Sequence, residues 1–116
     1  MKVGILKEIK VMEKRVCMVP SGVVTIIANG HEVVVETSAG AGAGFPDSEY
    51  IEAGATIVDT PAEVYGSCDM VMHVKEPQPS EYDMIREGQI VFTYLHLAAD
   101  EQQTKALIKA KSINIA

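Results

Sequence analysis

The chain has 116 residues, 47% of them hydrophobic and 22% charged, enough for one packed domain and too apolar for a disordered segment. Its net charge is −6 with no basic cluster, which argues against nucleic acid or an anionic membrane surface as partner. Cys17 and Cys68 belong to no CxxC or Cys/His cluster, and Lys2, Lys7, Lys10, Lys14 and Arg15 leave no apolar core for a signal peptide, so reduced thiols and a cytoplasmic location are expected.

Residues 1–6 (MKVGIL) read as a first strand, and the charged stretch 7–18 as a loop. Pro20 and Ser21 open a helix through Asn29, with Gly30 as its stop. The β-branched run 31–36 (HEVVVE) is a strand. Pro46 and Asp47 start a two-turn helix ending at Gly54, and residues 55–58 form a short strand. Thr60, Pro61 and Glu63 stand at capping-box positions of another short helix. Strands at 70–74 (MVMHV) and 89–93 (QIVFT) enclose a short helix over 79–86. Asp100 caps a helix to about Lys109, and 112–116 (SINIA) begins a last strand. That run has no terminator, so the chain reads as a piece of a longer polypeptide. Strands alternate with helices throughout and are nearly continuous in apolar character. The expected fold is therefore α/β: a Rossmann-like (flavodoxin-like) parallel sheet covered on both faces.

The stretch SAGAGAGF, residues 38–45, tests whether this domain holds a dinucleotide. Gly40 and Gly42 match the first two glycines of G-x-G-x-x-G, but Phe45 stands at the third. Pro46 and Asp47 delay the following helix, so its N-terminus cannot lie under a phosphate held by Gly40 and Gly42. Asp59 sits near the distance expected of a ribose ligand. The balance favours a tight structural loop, and a cofactor site elsewhere.

In an open parallel sheet, ligands bind outside the carboxyl ends of the strands. Those ends lead here to Lys7-Glu8 and the loop with Lys10, Lys14 and Arg15, to Lys75-Glu76-Pro77, and to Tyr94-Leu95-His96. A guanidinium can grip a carboxylate with two parallel hydrogen bonds. An ammonium can meet a keto oxygen, and an imidazole can move a proton near neutral pH. Arg15, Lys75 and His96 together suit a 2-oxo or 2-amino acid. Each also has a plainer reading: Arg15 as a solvated loop residue, Lys75 as a strand-edge charge, His96 as a packed histidine among Leu95, Leu97, Ala98 and Ala99. His73 shares a strand face with Lys75 and reads as structural, and His31 as exposed. No Cys/His/Asp/Glu set has metal-ligand spacing, and no G-x-S-x-G is present.

Taken together, K-E-x-K-x-x-E-x-R-V at residues 7–16, V-K-E-P at 74–77 and T-Y-L-H-L-A-A-D at 93–100 resemble the N-terminal part of bacterial alanine dehydrogenases. These are relatives of the nicotinamide nucleotide transhydrogenase α subunit, and the resemblance runs over essentially the whole chain. It implies that residues 1–116 are the N-terminal catalytic, substrate-binding domain of a two-domain NAD enzyme, with the NAD-binding Rossmann domain absent from this chain. The implied reaction converts L-alanine, NAD and water to pyruvate, ammonia and NADH, in a homo-oligomer that is often a hexamer. Arg15 resembles the residue that holds the substrate carboxylate. Lys75 resembles the group that meets the substrate's carbonyl or carboxylate oxygens, and His96 the acid/base. On this resemblance the 116-residue chain alone is expected to be inactive. The transhydrogenase branch shares the opening motif and the glycine stretch but lacks the Lys-Glu-Pro and Leu-His-Leu patterns, and it stands as the alternative beside a non-catalytic binding module. Cys17-Met18, Met70, Met72 and His73 depart from the usual alanine dehydrogenase pattern.

Overall fold

The structure is a computed structural model describing all of residues 1–116. The strands are β1 (Lys2–Ile5), β2 (Glu32–Glu36), β3 (Thr56–Val58), β4 (Met70–Met72), β5 (Ile90–Phe92) and β6 (Ile113–Ile115). The helices are α1 (Pro20–Ala28), α2 (Asp47–Glu52), α3 (Pro61–Ser67) and α4 (Glu101–Ala110). All five strand pairings are parallel, in the order β3-β2-β1-β4-β5-β6. Of the two common doubly wound orders this is the one that reverses between β1 and β4, not the flavodoxin order. The crevice outside the carboxyl ends of β1 and β4 is therefore the place to look for a ligand.

The central strands are buried on both faces because they alternate between two apolar clusters, while the edge strand β6 stays exposed. Val33 and Val35 of β2 pack with Ile5, Val23 and Tyr50, under α1 and α2. Val34 between them packs with Leu6, Val64, Tyr65, Val71 and Val91, under α3. Leu107 of α4 completes that second cluster. The Thr60 side chain accepts from the Glu63 backbone N–H while the Glu63 carboxylate returns to the Thr60 backbone, the capping box read from the sequence. α4 is capped by Asp100, which accepts from the Gln103 backbone N–H at 3.0 Å. The expected helix over 79–86 instead forms 3-10 turns over Pro79–Met84. There Glu81 is turned inward, accepting from the Gln78 backbone N–H at 2.9 Å. No helix is long and apolar enough to cross a membrane.

The glycine stretch follows β2, one strand removed from the β1/β4 reversal, and not β1 as a dinucleotide loop at that reversal would. It forms a 3-10 turn, Ala41–Ala43, closed by Gly44 at φ 88°, a conformation that glycine adopts without steric cost. A Cβ at Gly42 would come within 2.9 Å of the Lys14 carbonyl oxygen. The loop that carries Arg15 thus rests on this glycine. Gly42→Ala is expected to destabilise the fold by about 1–3 kcal/mol through overpacking against fixed backbone. Thermal unfolding checks this, and an unchanged midpoint would mean that the Lys14 backbone yields freely.

Candidate active site

Residues 7–19 connect β1 to α1 and supply the first wall of the crevice. Arg15 is exposed, with 64% of its side chain in solvent, whereas the Glu13 side chain is only 7% exposed. Arg15 Nε donates to Glu13 Oε2 at 2.9 Å and Nη2 donates to Oε1 at 2.6 Å. The Arg15 backbone N–H also donates to Oε2, at 3.0 Å. The hydrogen bonds from Arg15 hold the Glu13 carboxyl at about 2, well below the usual carboxylate range. A guanidinium has five N–H donors in a flat fork. Two of them engage Glu13, so the opposite edge remains free for a second carboxylate. Glu13 fixes the plane in which that edge is presented.

The second wall comes from the exits of β4 and β5. The Lys75 backbone N–H donates to Glu8 Oε1 at 2.9 Å, and the Lys75 carbonyl accepts from Thr93 Oγ1 at 2.9 Å. The backbone of one residue is thus tied to the β1 exit on one side and the β5 exit on the other. The Lys75 charge also favours the ionised Glu13, to a lesser degree than Arg15 does. Lys10 Nζ donates to Glu76 Oε1. Burial works against the Glu76 charge, but the hydrogen bond and charge of Lys10, a backbone hydrogen bond and the charge of His96 together outweigh it, so Glu76 stays below the usual carboxylate range.

His96 is not the packed histidine that its apolar neighbours allow. Leu95 before it is buried and His96 itself is exposed. Its backbone is left-handed, φ 54° and ψ 41°, a conformation that costs a non-glycine residue on the order of 1 kcal/mol. Its carbonyl accepts from the Ala99 N–H at 3.1 Å, closing the 3-10 turn Leu97–Ala99. Buried Leu95 and this turn together hold the imidazole out from the β5 exit. Strained backbone at an exposed, chemically capable side chain is a frequent mark of functional sites.

A cleft of about 430 Å³ opens beside these groups, lined by Arg15, Cys17, His73, Val74, Thr93 and Tyr94 among others. Arg15 lines it directly. Lys75 is one residue beyond its wall at Val74, and His96 is two beyond Tyr94. A larger cleft of about 540 Å³ lies at the opposite, amino end of the strands, around Lys2, His31 and Glu32, remote from every candidate group. Cys17 is a free thiol pushed up to about 12 by burial, so it is not a nucleophile at neutral pH. No group of three or more His, Cys, Asp or Glu residues is arranged to hold a metal ion.

A parallel doubly wound sheet with a guanidinium and an ammonium beside its point of reversal, and an imidazole at the exit of the next strand, defines a class: α/β domains built for a small ligand at the strand ends. The sequence matches the family described as Alanine dehydrogenase/PNT, N-terminal domain, over residues 4–116, and the chain belongs to that family. It is 53% identical over its whole length to the alanine dehydrogenase of Staphylococcus saprophyticus, spanning 31% of that relative. A solved L-alanine dehydrogenase superposes with a TM-score of 0.97 at 46% identity, over all of this chain and 32% of that one. A solved transhydrogenase from Sinorhizobium meliloti superposes at 0.93 and 30% identity, over all of this chain and 34% of that one. The chain therefore spans about a third of the length of these relatives.

Proposed function

We propose that this chain is the substrate-binding part of an NAD-dependent L-alanine dehydrogenase. What supports this reading is that Lys75 is tied to the β1 and β5 exits beside a cleft lined by Arg15, in a chain so similar to alanine dehydrogenases. In this reading the free edge of Arg15 binds the substrate carboxylate with two parallel hydrogen bonds, while Glu13 holds the guanidinium in place. Lys75 donates to the oxygen of the 2-oxo group and polarises it. In the deaminating direction water adds to the substrate's iminium carbon. His96 takes the proton of the resulting carbinolamine hydroxyl and delivers one to the departing nitrogen. Charge on Arg15 and Lys75 also fixes the substrate's orientation, which lowers the barrier by prepaid positional entropy.

NAD, the hydride acceptor that the family resemblance implies, does not fit the glycine stretch of this chain. A Cβ at Gly40 would meet the Phe45 carbonyl oxygen at 2.6 Å and Tyr50 Cε2 at 2.7 Å, and one at Gly42 the Lys14 backbone. The space beside both glycines is filled by protein. The cofactor is therefore assigned to a part of the enzyme outside these residues. A cytoplasmic homo-oligomer, a hexamer on the family pattern, belongs to the same proposal.

The test is pyruvate reduction by an enzyme containing this chain. Arg15→Ala is expected to raise KM for pyruvate about 10- to 100-fold, the loss of about 1.5–3 kcal/mol from charged hydrogen bonds. Pyruvate turnover that is absent in the wild type, together with activity between dinucleotides, would instead establish the transhydrogenase reading.

A further inference from the structure

One more titratable cluster is buried behind the same rim. His73 follows β4 with its side chain 2% exposed, Nδ1 lying 2.7 Å from Glu8 Oε2 and Nε2 lying 2.7 Å from Glu81 Oε2. A neutral imidazole carries one donor and one acceptor nitrogen, so it satisfies only one of two facing carboxylates. Both contacts are made well only when both nitrogens carry hydrogen. Burial alone would lower the ring's affinity for that proton, but its hydrogen bonds to Glu8 and Glu81, together with the charges of both carboxylates, outweigh burial and push His73 up to about 9.

The groups facing the ring come from every element around it. Glu8 comes from the β1 exit and Glu81 from the 3-10 turn. Tyr65 of α3 donates its hydroxyl to Glu81 Oε2 at 2.9 Å. Glu36 of β2 accepts from the Lys7 backbone N–H at 2.8 Å, and the His73 charge favours its ionised form. Glu8 is also the acceptor for the Val74 and Lys75 backbone N–H groups, at 3.0 and 2.9 Å. Its two oxygens therefore face the His73 ring on one side and the peptides that present Lys75 on the other.

We infer that His73 is a positioning residue: its imidazolium, clamped between Glu8 and Glu81, fixes the Glu8 carboxylate and through it the Val74–Lys75 backbone, so that Lys75 is presented to the substrate. This rests on the assignment of Lys75 to the substrate made above. The imidazolium offsets one of the two carboxylates and leaves the other to hold the Lys75 peptide. A neutral ring would turn a lone pair toward one carboxylate and loosen the clamp.

The test combines a spectroscopic signature with steady-state kinetics. In 15N-labelled protein at pH 7.5, both ring nitrogens of His73 are expected to resonate as protonated, with a midpoint near 9. A neutral tautomer at pH 7.5 overturns the inference without any variant. In an enzyme containing this chain, His73→Gln is expected to raise KM for pyruvate about tenfold with kcat changed less than about threefold. His73→Lys restores a cation with donors for both carboxylates, and is expected to recover most of that KM. If Lys75→Ala raises KM while His73→Gln does not, the positioning role fails and the substrate assignment stands. If Lys75→Ala leaves KM unchanged, the substrate assignment fails and takes the positioning role with it. Should His73→Gln not fold, the ring signature and the His73→Lys kinetics decide the matter, and a folded His73→Lys with elevated KM counts against the clamp.

Discussion

His96→Ala, in an enzyme containing this chain, is expected to lower kcat by about 10²- to 10⁴-fold, the range that a positioned proton-transfer group supplies. KM for pyruvate is expected to change far less, because Arg15 and Lys75 hold the substrate in this reading and His96 does not. The structure gives this split a physical basis. The imidazole stands on a left-handed residue at the β5 exit, whereas the cations stand on the first connection and the β4 exit. Removing the ring leaves buried Leu95 and the turn behind it in place, so the fold is not at stake. Steady-state kinetics in both directions read the result. A near-normal kcat would sink the acid/base role.

Much of this was legible in the sequence because a parallel sheet writes itself locally. Each strand is a short apolar run between turn signals, and Val33-Val34-Val35 can feed both clusters only if both faces are covered. The strand-end rule then nominated Arg15, Lys75 and His96 with no knowledge of strand order. Strand order itself was not legible, since pairing between β1 and β4 is a long-range choice that no local pattern encodes. Without it, the glycine stretch could be weighed only by its spacing. With it, the stretch is seen to follow β2 and to seat the Lys14 backbone. The His73 clamp was also out of reach, because Glu8 lies 65 residues from the histidine that it binds. Its traces were His73, read as structural from the strand face it shares with Lys75, and Glu8 inside the K-E-x-K-x-x-E-x-R-V motif, which also carries Glu13, the partner of Arg15. Both glutamates read there as charged loop, although Glu8 is buried and Glu13 nearly so. Buried Gln103, whose amide atoms find no partner, has no explanation in the structure.

Glu81→Ala is expected to cost about 3–5 kcal/mol of folding stability near pH 6, the usual penalty for removing one member of a buried ion pair. The carboxylate accepts from His73 Nε2 at 2.7 Å, from the Tyr65 hydroxyl at 2.9 Å and from the Gln78 backbone N–H at 2.9 Å. Its loss strands a buried hydroxyl, weakens the hold on a buried cation and uncaps the 3-10 turn together. The pH dependence separates this cluster from ordinary packing. His73 is raised from 6.5 to about 9 in the fold, so the folded state binds the proton more tightly than the unfolded chain does. That contribution is complete below about 6.5 and is lost as pH rises toward about 9, a loss of about 3 kcal/mol. Glu81 adds an acid limb. Burial opposes its charge, but the hydrogen bond and charge of His73, with the hydrogen bonds from Gln78 and Tyr65, together prevail and hold it below the usual carboxylate range. Its contribution is present above the unfolded value near 4.5 and is lost as pH falls through the folded one. Urea unfolding at pH 6, 7.5 and 9 is expected to give falling stability in the wild type and a flatter, lower profile in Glu81→Ala. A variant within about 1 kcal/mol of wild type at pH 6 would remove Glu81 from the structural account.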